Sequence, residues 1–280
     1  MFDESVISRL KEQGKDFEQI NADRQKATGV YYRQTIDHVK QVLANIDTVY
    51  PDYDPKLGYE LAGLVWFQGW NDMVDSGTYP RRGEKGGYDA YSEVLTHLIR
   101  DFRKDLSAPN LPFVIGVMGV NGPTDKYSPQ QQRYKQVHQN FRDAMAAPAS
   151  TKEFAPNVVA VLTENYWDQE LDAILTRDDE IRNKVKAAKK AGKLPELARE
   201  INDDEKLSEE DTKVFEQLQK AGKLESTLLE SMRTREFTVR EYQILQLGKS
   251  NAAFHYLGCG KIMAQIGKAL AEAMPMTTED

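Results

Sequence analysis

Three short, nearly unbroken apolar runs stand out along this chain. Leu61, Ala62, Leu64, Val65 and Phe67 form the first, residues 113–118 the second and residues 158–162 the third. Continuous apolar runs of this length fit strands covered on both faces of a parallel sheet, over 60–67, 113–118 and 158–162. Between them the apolar residues recur at helical spacing. Tyr31, Ile36, Val39, Val42 and Leu43 predict a helix over 30–46; Tyr91, Val94, Leu95, Leu98, Ile99 and Phe102 predict one over 88–105. Tyr134, Val137, Phe141 and Met145 predict a third over 127–147, and Ile262, Ile266, Ala269 and Leu270 a closing helix over 259–274. Strands alternating with helices point to an α/β doubly wound fold. Residues 1–27 read as a polar lead-in, and the Gly- and charge-rich residues 73–88 as a loop.

Residues 172–247 break this alternation. They are densely charged and patterned as several helices, with Pro195 as the one proline. Lys-Ala-Gly-Lys-Leu occurs twice, at 190–194 and 220–224. Chance in a Lys/Ala-rich stretch and a duplicated helical hairpin both account for it. The segment is expected to be a charged helical insertion, separating an α/β domain over 28–171 and 248–280 into two stretches of chain, with solvated faces and i,i+4 ion pairs.

Composition narrows the function. The chain has 280 residues and a formal net charge of -7, which argues against a general nucleic-acid partner. Its single cysteine, Cys259, reads as a small residue at a helix start and excludes an intrachain disulfide. No run approaches the roughly 20 apolar residues of a membrane span, and the N-terminus has no signal-peptide core. Asp178-Asp179-Glu180 and Asp203-Asp204-Glu205 read as helix-end charges, so neither a metal nor another cofactor is expected.

The candidate chemistry sits where the first strand ends. Gln68, Gly69, Trp70, Asn71 and Asp72 arrive together there, and in an open α/β sheet the C-terminal strand ends are where ligands bind. A side-chain amide fixed at that place can donate to a developing oxyanion. Far downstream lies Phe254-His255-Tyr256-Leu257-Gly258. On spacing alone, Asn71 and Asp72 read as turn formers and His255 as a structural histidine. His38, His97 and His138 lie in helical patterns with polar neighbours and read as surface or half-buried.

Together these two stretches resemble the SGNH-type carbohydrate esterases, and within them the sialate O-acetylesterase-like family. Gly69-Trp70-Asn71-Asp72 matches the family's third block, Gly-x-Asn-Asp, and Trp66-Phe67-Gln68-Gly69 its Trp-Tyr-Gln-Gly stretch; His255 matches the histidine of the last block. The resemblance implies an SGNH or flavodoxin-like three-layer parallel sheet and hydrolysis of an O-acetyl ester on a carbohydrate. His255 would be the catalytic base and Asn71 a catalytic oxyanion donor. Gln68, Gly69, Trp70 and Asp72 would bind the substrate, an indole standing where the family commonly has Glu.

Two departures shape what is expected of this chain. None of its eleven serines stands in the Gly-Asp-Ser or Gly-Gln-Ser turn of the family's nucleophile. The last block is normally Asp-x-x-His, and here Ala252 stands three before His255, leaving Asn251 or a backbone carbonyl to orient the imidazole. The expectation is an N-terminally truncated family member, inactive alone, whose sheet lacks its N-terminal strand. The unpaired edge at 60–67 would then favour self-association or a partner chain. The alternative is a non-catalytic carbohydrate-binding or interaction module derived from the esterase fold. A full-length family member would be exported.

Overall fold

The computed structural model describes residues 4–202 and 209–274. Asp203-Asp204-Glu205 lies outside the described residues. In chain order the elements are α1 (Glu4–Glu12), α2 (Phe17–Ala27), α3 (Val30–Ala44), β1 (Leu64–Trp66), α4 (Trp70–Val74), α5 (Asp89–Asp105), β2 (Phe113–Val117), α6 (Lys135–Ala146) and β3 (Val158–Leu162). Then come α7 (Gln169–Lys190), α8 (Leu194–Asn202), α9 (Glu209–Lys220), α10 (Leu224–Glu236), α11 (Val239–Leu247) and α12 (Gly260–Ala273). The chain clusters into two compact units, Met1–Gly63 with Leu95–Leu111, and Leu64–Val94 with Pro112–Asp280.

In the first unit the polar lead-in is helical. Asp16 accepts a hydrogen bond from the Gln19 N–H at 3.0 Å and so caps α2. In α3 the inward stripe is offset from the expected one. Tyr31 faces solvent, while Tyr32 donates to the Asp105 carboxylate at 2.7 Å and meets Phe102 edge-on at 5.3 Å. Tyr32, Ile36, Val39 and Leu43 follow the i, i+4, i+7 rule more closely than a stripe begun at Tyr31.

The second unit is an α/β fold built on a three-stranded parallel sheet, ordered β1-β2-β3. Leu64 pairs with Phe113, Trp66 with Ile115, Phe113 with Val158 and Val117 with Leu162. The central strand β2 is buried at all five positions. Helices α6 and α12 pack on it. They contribute Phe141, Met145, Ile262 and Ile266, all essentially solvent-free and each worth roughly 2–3 kcal/mol of burial.

The first strand is shorter and more open than its composition suggests. Only Leu64–Trp66 is a strand, and Val65 is 43% exposed. Among the described residues β1 pairs only with β2, and only through Leu64–Trp66, which leaves its other edge without a ladder.

Helices α7–α11 form two small apolar clusters of their own. Ile174, Ile181 and Phe237 are buried in one, and Ala198, Leu224 and Leu228 in the other. The two Lys-Ala-Gly-Lys-Leu copies are the joints α7–α8 and α9–α10, and they fold identically. Gly192 and Gly222 both take φ +68. Lys193 N–H reaches Ala188 O and Lys223 N–H reaches Leu218 O, each at 2.8 Å, while Gly192 and Gly222 each close the inner bond at 3.1 Å. These are paired Schellman turns, in which glycine takes the left-handed residue at no steric cost. The acidic triplet at 178–180 is not at a helix end. It lies inside α7, where Asp178 is buried and gripped by Arg233 of α10.

Candidate active site

Beyond the C-terminal ends of β1 and β2 lies a cavity of about 530 Å³. Gln68, Gly69, Trp70 and Asn71 line one side, with Met118 and Val120 from the end of β2. Phe254, His255 and Tyr256 line another. The Trp70 and Phe254 rings stack at 5.5 Å and 28°, so residues 184 positions apart (254 − 70) touch directly at its mouth.

Each sequence-chosen residue has a distinct place. Asn71 is exposed to the cavity in the first turn of α4. Gln68 Nε2 donates to Asp72 Oδ2 at 2.7 Å, and the Tyr91 hydroxyl donates to the Gln68 carbonyl at 3.2 Å. Asp72 therefore holds Gln68 and does not itself line the cavity. Packing also holds Gly69 to glycine: a Cβ there would come 2.7 Å from the Phe141 ring.

His255 is exposed in a tight loop before α12, with the Phe254 ring edge-on at 4.4 Å. Among the described residues no hydrogen bond joins Asn251 to the imidazole; its Oδ1 accepts the Ala252 N–H at 2.8 Å. The loop closes on itself. Ser250 and Asn251 N–H groups both donate to Leu257 O, at 2.8 and 2.9 Å, and Ser250 Oγ donates to Gly258 O. Tyr256, Leu257 and Gly258 are left-handed in succession, at φ 50, 61 and 58. For Tyr and Leu this costs on the order of 1–2 kcal/mol each. Gly258 is also required sterically, since a Cβ would lie 2.2 Å from Ser250 Oγ.

Sequence reasoning missed the polar cluster behind the cavity wall. Arg142 of α6 donates to Gly122 O at 3.0 Å, to Val120 O at 2.9 Å and to the Tyr127 hydroxyl at 3.1 Å, and pairs with Glu164. Tyr127 bonds His138 Nδ1 at 2.6 Å. His138 is therefore not a surface residue. It is 4% exposed, and the signal was its place on the same helix face as Phe141, Met145 and Arg142. Burial, reinforced by the Arg142 charge, lowers its pKa from 6.5 to about 4.

That shift sets a pH dependence. In the unfolded chain His138 takes up a proton as pH falls through its ordinary value; in the folded chain it stays neutral until about pH 4. Stability is accordingly lost as pH falls from about 6.5 to about 4, by roughly 3 kcal/mol at most. Urea denaturation across this window should show the slope in the natural chain and a shallower one in His138→Asn. Equal slopes would refute the assignment.

The family model of the carbohydrate esterases, sialic acid-specific acetylesterases, matches residues 15–174. The chain belongs to this family. The match takes in Gln68–Asp72, Arg142, Thr163 and Glu164; His255 lies beyond it. No curated protein and no solved structure matched the chain. Among the described residues no helix is long and apolar enough to cross a membrane.

Proposed function

We propose that the cavity is an esterase-type site for an O-acetylated carbohydrate, with His255 as the base and Asn71 as a donor to the developing oxyanion. The observation that carries this reading is that Asn71 and His255 line one cavity at the C-terminal edge of a parallel sheet in a member of an acetylesterase family. Gln68 and Gly69 shape the floor, and the Trp70–Phe254 stack offers an aromatic face to a sugar ring. Residues 172–247 are read as an insertion into an SGNH-type domain.

The nucleophile is read as coming from outside these 280 residues. Among the described residues no serine, threonine or cysteine lines the cavity, and the open edge of β1 suits a further strand. The chain alone is then a binder that does not turn over, and its β1 edge favours self-association. The absence of a lining nucleophile equally supports a second reading, a carbohydrate-binding module that no longer hydrolyses.

Acetate release from an O-acetylated sialic acid, tryptophan-fluorescence titration with the same sugar and sedimentation at several concentrations test this together. The expected result is saturable binding lost in Trp70→Ala, acetate release at background, and concentration-dependent association. Acetate release abolished by His255→Ala would overturn the inactive reading. No binding at millimolar sugar would overturn the site.

A further inference from the structure

We infer that Tyr256 is the positioning residue for His255, acting through a buried hydroxyl chain that ties the loop to the ends of β2 and β3. This rests on the reading of His255 as the site's base. In an Asp-x-x-His block a carboxylate would set the imidazole, but Ala252 stands at that place and the Asn251 side chain bonds the loop's own backbone instead of the ring. Among the described residues no hydrogen bond is made to either ring nitrogen of His255. The ring's place is therefore set by its backbone and by the Phe254 edge, and the backbone must be held from elsewhere.

The adjoining residue holds it. Gly119 N–H lies 2.9 Å from the Tyr256 hydroxyl oxygen, Thr163 Oγ1 lies 2.8 Å from it, and Thr163 Oγ1 lies 2.6 Å from Val117 O. The direction of the chain is forced. An amide can only donate, so Tyr256 accepts from Gly119. A carbonyl can only accept, so Thr163 donates to Val117. The Tyr256 O–H is left to donate to Thr163. Both side chains are buried, and both hydroxyls are used as donor and acceptor, so the chain has one arrangement. Val117 is the last residue of β2, Gly119 lies two residues beyond it, and Thr163 directly follows β3.

The backbone explains why an anchor is needed. Three consecutive left-handed residues, two of them not glycine, persist only where surrounding contacts over-determine them. Leu257 is fixed by burial and by the two N–H groups on its carbonyl. Tyr256 is fixed by the hydroxyl chain and by the Phe67 ring at 5.4 Å, which follows β1. The ends of all three strands thus converge on the residue beside His255.

Histidine-labelled chain separates positioning from bulk stability. Tyr256→Phe keeps the ring and removes the chain; Thr163→Val removes it from the other side; Thr163→Ser keeps it. The His255 imidazole carbon–proton signal should shift and lose about two-fold or more in height through exchange broadening in Tyr256→Phe and in Thr163→Val. It should be restored in Thr163→Ser, with His38 and His97 unmoved throughout. A His255 signal unchanged in either chain-breaking variant, or His38 and His97 moving as much as His255, would overturn the inference. The readout needs no substrate. A sugar that binds equally well to His255→Ala would count against the base assignment and leave the positioning result standing.

Discussion

Arg142→Met is expected to lower the unfolding free energy by about 3–5 kcal/mol, the cost of breaking a buried ion pair by removing one partner. The guanidinium is 3% exposed and serves the Val120 and Gly122 carbonyls, the Tyr127 hydroxyl and Glu164 at once. Methionine fills most of the volume but satisfies none of these groups, and each carbonyl left buried without a donor costs about 1–3 kcal/mol. Because Val120 lines the cavity, sugar binding should weaken in the same variant. Urea denaturation followed by far-UV dichroism gives the number. A loss below about 1 kcal/mol would mean that water replaces the guanidinium and that the cavity wall does not depend on it.

Arg233→Met is expected to cost about 3 kcal/mol. Asp178 is 2% exposed and receives Arg233 Nε at 2.6 Å and Nη2 at 2.9 Å, with Arg182 Nε at 2.6 Å on Oδ2. Burial alone would raise its pKa, but the Arg233 and Arg182 hydrogen bonds outweigh burial and hold the carboxyl below its usual range. Without Arg233 the carboxylate keeps only Arg182, which is largely in solvent. The double change Asp178→Leu with Arg233→Met removes both charges and should recover most of the loss, because an apolar pair of similar volume is often no worse than the ion pair. A double variant as unstable as the sum of the singles would show that the two side chains act independently.

What the sequence disclosed depended on how local the cause was. Strand β2 was legible because a continuous apolar run and burial on both faces are the same fact for a central strand; β3 was legible from its run although it lies at the other edge of the sheet, with Leu162 exposed. The run at 60–67 has a similar composition but ends as three residues, because a run of letters does not say how far a neighbouring strand will run alongside it. From their sequence neighbours Asp178 was read as a helix-end charge and His138 as surface or half-buried, and both are buried. Their partners, Arg233 at 55 positions and Tyr127 at 11 positions away, exist only after folding. Gln68–Asn71 and His255 were picked out through motif resemblance, and the structure places them round one cavity. The hydroxyl chain of Tyr256, Thr163, Gly119 and Val117 had no sequence signal. A lone tyrosine beside a histidine does not announce which strand end it reaches.

The twin Lys-Ala-Gly-Lys-Leu joints give the helical arm an unusual freedom to be edited. A cut after Lys190 rejoined at Ala221 removes 30 residues (220 − 190) and restores the five letters unchanged. The hydrogen bonds of each joint are made between the last helical turn and the next three residues, so the rejoined copy carries its own folding instructions. Helix α10 would then leave α7 by the turn that α8 now uses. An arm spliced from such cassettes changes length in whole hairpins, while the His255 loop keeps its moorings on β2 and β3.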